Sequence, residues 1–238
     1  MKDRGKVNLR GELESLAKDM GATYFGIADL APARQHISKQ GGEFLTQFPR
    51  AISHGFALAD GIVNTLVHHK NVAVLNSYWY YVYQIVNPRI DSISLMLAQS
   101  LDRAGFQAFV VPSSQTVDRT GLTGVFSHKL AAHLAGLGWI GKSALLITPE
   151  HGPRVRWGTV LTDAPLEAGT PIDEMCRDCD SCVKACPAHA FSGQAFDKPR
   201  PRSQIFAAEA CDNYLSKRET LRRACGICVY VSPFGRTE

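Results

Sequence analysis

The sequence predicts an α/β body followed by a smaller cysteine-rich module built to hold metal. Three observations carry this. Segments of helical periodicity alternate with short apolar strands from Leu9 to Thr162. All 7 cysteines fall between Cys176 and Cys228. Four of them, Cys176, Cys179, Cys182 and Cys186, form the run C-x2-C-x2-C-x3-C-P, closed by Pro187.

Leu9, Leu13, Leu16 and Met20 recur at helical spacing, and Gly21 stops that helix. Tyr24 to Ala28 reads as a buried strand, and a passage punctuated by Gly41-Gly42 and Pro49 follows. Ala51 to Leu58 is a second strand, with His54 expected as a packed, hydrogen-bonded residue rather than a ligand. Val72 to Val86 is the most apolar stretch and holds Tyr78, Trp79, Tyr80, Tyr81 and Tyr83. It is too short for a membrane span, contains Asn76, Ser77 and Gln84, and runs into Asn87-Pro88-Arg89. It reads as a buried or interface helix, its aromatic residues serving core packing ahead of flooring a cofactor cavity. Ile90, Ile93, Leu97 and Leu101 keep one helix face apolar up to Gly105, and Gln107 to Val111 is a strand closed by Pro112.

Ser127 caps a helix reaching Leu137, which runs into Gly136-Leu137-Gly138-Trp139-Ile140-Gly141-Lys142-Ser143. That segment has the G-x-x-x-x-G-K-[ST] spacing of a phosphate loop. Such a loop follows a strand and opens a helix. Here a helix precedes and the strand-like Ala144 to Ile147 follows, so the phosphate reading is set aside. The glycines instead let backbone approach a flat ligand or a neighbouring domain. Arg156 to Thr162 is a further strand, and Ala164-Pro165 begins a linker, dividing the chain into residues 1–165 and 166–238.

The chain's 238 residues suffice for one large or two small domains, and 45% hydrophobic with 20% charged residues is an ordinary globular balance. A net charge of +4 does not by itself indicate nucleic acid. No apolar stretch follows the charged Met1 to Lys6, so no secretory signal and a reducing cytoplasm are expected. The odd number of cysteines argues against a disulfide framework. Zinc sites split their ligands into separated pairs. The tight run ending in Cys-Pro instead suits iron–sulfur clusters: three thiolates wrap one cluster, and the fourth leaves to ligate another.

The segment Gly136 to Ser143, the strands around Leu145 and Thr159 to Asp163, and the cysteine run resemble epoxyqueuosine reductases and, more distantly, corrinoid reductive dehalogenases. Phe48 to Ser53 and Val111 to Gln115 are similar too. The resemblance implies a cobalamin-binding α/β domain followed by a ferredoxin-like domain with two [4Fe–4S] clusters. It implies cobalamin between them, lined by Trp139, Gly141, Lys142 and Ser143, and an electron donor such as ferredoxin or flavodoxin. No D-x-H-x-x-G motif offers the cobalt a ligand from below. The family's proton-donating Asp falls on Leu122, its Pro on Val125, and its Glu-Arg pair on His128-Lys129; Asp118 lies four residues from the donor position. Leu122, together with the lack of helical repeats before Glu238, disfavours a tRNA substrate. Lys198, Arg200, Arg202, Lys217, Arg218, Arg222 and Arg223 make the C-terminal part basic, suited to solvated faces, to neutralising clusters or to docking an acidic donor.

On the two-cluster wiring, Cys186 joins Cys211, Cys225 and Cys228, while Cys176, Cys179 and Cys182 hold the other cluster. Ser232 stands where the family pattern has that cluster's last Cys, which predicts a labile corner prone to a three-iron form. The readings carried forward are an iron–sulfur, cobalamin-using oxidoreductase of unassigned substrate, the tRNA epoxyqueuosine reductase itself, and a non-enzymatic electron carrier or corrinoid-reducing partner.

Overall fold

The computed structural model describes residues 8–196, 201–218 and 224–235. The chain begins with α1 (Leu9–Asp19), β1 (Tyr24–Asp29), α2 (Arg34–Gly41), β2 (Arg50–Ala57) and α3 (Asp60–Asn64). Next come α4 (Val72–Tyr80), continued by a π-helical turn (Tyr81–Val86), then α5 (Asn87–Arg103), β3 (Ala108–Val111) and α6 (His128–Leu134). β4 (Trp139–Ile140), β5 (Leu146–Ile147) and β6 (Val155–Thr162) follow, and the cysteine region carries α7 (Ser181–Ala185), α8 (Ala208–Ser216) and α9 (Ile227–Tyr230).

The main sheet has the order β1-β2-β6-β3, and every pair in it is antiparallel. Alternation of helices and strands does not set strand direction. The two inner strands are buried on both faces and so pair centrally, despite their distance in sequence. Successive residues of a strand point to opposite faces. Ile27, Ile52 and Val160 accordingly meet Leu13, Ala17, Ile93, Leu97 and Leu101 of α1 and α5. Their neighbours Ala28, Ala51 and Leu161 meet Ile37, Leu130 and Leu134 of α2 and α6. Each fully buried leucine of these layers contributes about 1.5–3 kcal/mol.

The cap expected at Ser127 forms, and Asn8 caps α1. Asn8 Oδ1 accepts from Gly11 N at 3.1 Å, and Ser127 Oγ accepts from Leu130 N at 3.4 Å. His54 is fully buried with Nε2 2.9 Å from Ser94 Oγ, the packed role expected of it. Asn87-Pro88 does not end the apolar helix: Pro88 sits in the first turn of α5, where a missing N–H costs little. Gly141, Lys142 and Ser143 form the turn between β4 and β5, with α6 upstream, so the phosphate-loop context is absent.

Beyond β6 the chain stays against the body. Leu166 enters the core beside Ala164, and Gly169 N donates to Ile27 O at 2.8 Å. The cysteine region then folds back twice. Cys176 packs on Trp139 and Ile147, while Ala224 and Val229 pack on Leu66, Leu75 and Tyr78. No helix among the described residues is long and apolar enough to cross a membrane.

Candidate metal-cluster site

All seven cysteines are free thiols, and they fall into two groups. Cys176 and Cys179 are joined by a turn in which Cys179 N donates to Cys176 O at 2.7 Å. Arg177 sits at φ 43, which turns the chain sharply between them. Cys182 lies in the first turn of α7. Burial, then the charges of Cys176 and Cys179, push its thiol up to about 11. Trp139 Nε1 donates to Cys176 Sγ at 3.5 Å, while Glu174 Oε1 accepts from Cys176 N at 2.7 Å. Burial leads in raising the Cys176 thiol, and the Glu174 carboxylate raises it further. Ser232 is 6% exposed, and its Oγ accepts from Phe234 N at 3.3 Å. The Phe234 ring stands edge-on to Trp139 at 5.0 Å, which puts Ser232 on the Cys176 side.

The second group surrounds a cavity of about 200 Å³ lined by Cys186, Cys211, Cys225 and Cys228, with Tyr78 and Arg156 in its wall. Cys186 follows α7, Cys211 belongs to α8, and Cys225 and Cys228 flank the start of α9. Gly226, at φ 71, lets that loop press on the body: a Cβ there would lie 2.8 Å from Leu66 and 3.0 Å from Tyr78. Burial first, then neighbouring thiols, push Cys211 up to about 11 and Cys228 up to about 12. Cys186 is among the thiols acting on Cys211, Cys225 and Cys228. The chain thus brings Cys186 to the later cysteines, away from the run it belongs to in sequence.

These donors fit iron–sulfur clusters. No three His, Cys, Asp or Glu side chains among the described residues are close enough to hold one metal ion. Tetrahedral zinc would need four ligands at about 2.0–2.3 Å from one centre. A multi-iron cluster takes each thiolate on a different iron, and so suits thiols spread around a cavity.

The fit to a corrin is poor. Trp139 is 1% exposed, Ser143 is 6% exposed, and a Cβ on Gly141 would lie 3.0 Å from Cys176 Sγ. These residues wall the three-cysteine group. Only Lys142 keeps a part-exposed side chain, donating to Arg177 O at 2.5 Å. A corrin would reach the other three only after that wall opened.

Leu122 lies at φ 50 in a turn whose amides bond Asp118: Thr120 N and Gly121 N donate to its carboxylate at 2.9 and 3.0 Å. Asp118 is committed to the turn. His128 lies between Thr159 Oγ1 at 2.8 Å and Pro112 O at 3.0 Å, and burial holds its pKa down to about 4. Lys129 donates to Ala144 O, and burial followed by the Arg202 charge holds it down to about 8. Arg202 reaches from the cysteine region to Gly121 O at 2.9 Å. Arg218 donates to His69 O at 2.7 Å, and its charge lowers the Cys225 pKa against the larger effect of burial. Lys217 is exposed, and Lys198, Arg200, Arg222 and Arg223 lie outside the described residues. Sequence reasoning missed Arg156 and Glu174, since no spacing pattern ties either to a cysteine.

No family model matches the chain. An epoxyqueuosine reductase of Listeria monocytogenes serovar 1/2a is 37% identical over 119 residues, 48% of this chain and 31% of that protein. One of Gloeobacter violaceus is 48% identical over 69 residues, 29% of this chain and 22% of its own length. The matches thus span about a third or less of these curated relatives. Among solved structures, the catabolic reductive dehalogenase NpRdhA has a TM-score of 0.70 at 20% identity, covering 94% of this chain and 32% of its own. The epoxyqueuosine reductase from Streptococcus thermophilus has a TM-score of 0.61 at 20% identity, covering 98% of this chain and 67% of its own. At these identities the structural likeness speaks for the fold alone.

Proposed function

We propose that this chain, similar in sequence to epoxyqueuosine reductases and in fold to them and to reductive dehalogenases, is an iron–sulfur oxidoreductase of that type, its substrate unassigned. An α/β body of residues 1–165 would carry a ferredoxin-like module of residues 166–238 with two [4Fe–4S] sites. The observation that carries the reading is the partition of seven thiols into a group of three and a group of four around a cavity. Cys186, Cys211, Cys225 and Cys228 would hold one cluster. Cys176, Cys179 and Cys182 would hold the other, with Ser232 at its fourth corner. Bound clusters supply low-potential electrons one at a time. The chain's own part is to keep those thiols together and dry, through Trp139 and Phe234 at one site and Tyr78 and Ile227 at the other. Iron and sulfide analysis after anaerobic reconstitution tests this: two clusters require about eight irons. A ceiling of about four refutes the pair.

The family resemblance suggests cobalamin and a tRNA substrate as further steps. Cobalamin would meet Lys142 first, and Trp139, Gly141 and Ser143 only if the wall opens. Equilibrium dialysis against hydroxocobalamin at about 10 μM, corresponding to about 7 kcal/mol, decides it, and absence of binding favours the electron-carrier reading. Action on epoxyqueuosine in tRNA is the second reading, favoured by the sequence likeness and opposed by Leu122, which has no proton to give. A ferredoxin or flavodoxin would serve as electron donor.

A further inference from the structure

We infer that Tyr78 and Arg156 raise the reduction potential of the cluster held by Cys186, Cys211, Cys225 and Cys228, easing its acceptance of an electron. This rests on the two-cluster reading above. Tyr78 and Arg156 line the same cavity as those four thiols. Tyr78 is 7% exposed, and its hydroxyl makes no hydrogen bond among the described residues. A phenol such as this keeps its proton at neutral pH. It is an unspent O–H donor in the wall of the cluster cavity. The charges of Arg156, Cys228 and Cys225 all act on that phenol, which lies within electrostatic reach of each.

Arg156 projects from β6, donates through Nε to Asn87 Oδ1 at 3.2 Å, and stacks over the Tyr83 ring at 5.1 Å. It takes part in none of the ion pairs among the described residues, so its charge is not cancelled locally. The wall of the three-cysteine site is mixed: the Glu174 carboxylate accepts from Cys176 N, while Trp139 Nε1 donates to Cys176 Sγ and the Lys142 ammonium bonds Arg177 O. Reduction adds one negative charge to a cluster and breaks no bond. A cation and an O–H donor stabilise the reduced form, and a carboxylate opposes it. The wall of the four-cysteine site, with Arg156 and the Tyr78 hydroxyl and no carboxylate among the described residues lining it, therefore raises that site's potential.

The test is a potentiometric titration of the reconstituted full chain with dithionite as the one-electron reductant, followed by electron paramagnetic resonance. All variants carry Ser232→Cys, so that both sites have four thiolates; only the three-cysteine signal answers to that substitution, which identifies it. Arg156→Met should lower the four-cysteine site's reduced-to-oxidised ratio at fixed potential about tenfold, which is 59 mV for one electron. Tyr78→Phe should shift it the same way, and Arg156→Lys should retain most of the wild-type ratio. Tyr78→Phe removes one oxygen and keeps the packing, so the test survives a failure of Arg156→Met to fold. The inference is overturned if neither variant lowers the four-cysteine midpoint, or if both shift the three-cysteine midpoint equally, with about eight irons present. An iron count of about four, read before any potential, overturns the two-cluster reading instead.

Discussion

Gly141→Ala gives a steric test of the wall between the body and the three-cysteine group. The new Cβ would lie 3.0 Å from Cys176 Sγ and 3.2 Å from Ile147 Cγ1, and would overlap Ile147 Cδ1. Ordinary contact begins at 3.4 Å. The sulfur must therefore retreat by about 0.4 Å, and the isoleucine by more, in a close-packed wall with little give. Trp139, 1% exposed, blocks retreat on the indole side, and Phe234 backs it at 5.0 Å. Overpacking of this kind costs about 1–3 kcal/mol. For a chain of this size each kcal/mol lowers the midpoint by about 2–4 °C, so the iron-free chain should melt roughly 2–12 °C lower. The larger effect is selective. A displaced Cys176 thiolate should cut reconstituted iron from about eight to about four atoms while the four-cysteine signal persists. Wild-type iron content with an unchanged midpoint would show that the wall is loose and the packing reasoning wrong.

Other expectations follow from the same geometry. Mild oxidation should give a three-iron resonance that disappears in Ser232→Cys; its persistence would remove Ser232 from the labile corner. His54 and His128 are held neutral, with folded values of about 3 and 4 against 6.5 when unfolded. The unfolded chain therefore takes up protons first, and stability present above pH 6.5 falls as pH drops toward those values, by up to about 1.4 kcal/mol per pH unit for each histidine. Denaturant titrations of the iron-free chain should show that slope reduced in His54→Gln, and an equal slope would contradict it. Leu122→Asp should be tolerated, because Asp accepts the left-handed backbone at φ 50 better than Leu. Reconstituted wild type should convert little or no epoxyqueuosine, and robust conversion would make tRNA the substrate despite Leu122.

The elements were legible where local chemistry decides them. Leu9 to Met20, with Gly21 after it, and the cap at Ser127 both form as the sequence indicates, because spacing and capping are short-range. Strand direction was not legible, since pairing of β2 with β6 depends on residues a hundred positions apart. The cysteines announced metal chemistry, and the fold sets Cys186 beside Cys211 and Cys225. The walls were silent. Glu174 acts through a hydrogen bond to a neighbouring amide, and Arg156, on β6, comes beside Tyr78 in the cavity wall only once the chain is folded. Tyr78 stood in a visible aromatic run, yet nothing in that run separates it from the exposed Tyr80.

The π turn at Tyr81–Val86 has a consequence for how the long helix keeps its phase. Tyr78 must face the cysteine module, while Ile90, Ile93 and Leu97 must face the body. Twelve residues of unbroken α-helix rotate about 1,200°, which would leave Tyr78 and Ile90 about 120° apart. The turn absorbs one residue and returns about 100° of that, so both side chains lie on nearly one line. It acts as a clutch between two sections of one rod. Deleting a single exposed residue inside it, such as Gln84, would tighten the turn to a plain α-helix and leave both sections aimed as before. The same deletion within α5 would swing everything upstream of it by about 100° and carry Tyr78 out of the cavity wall.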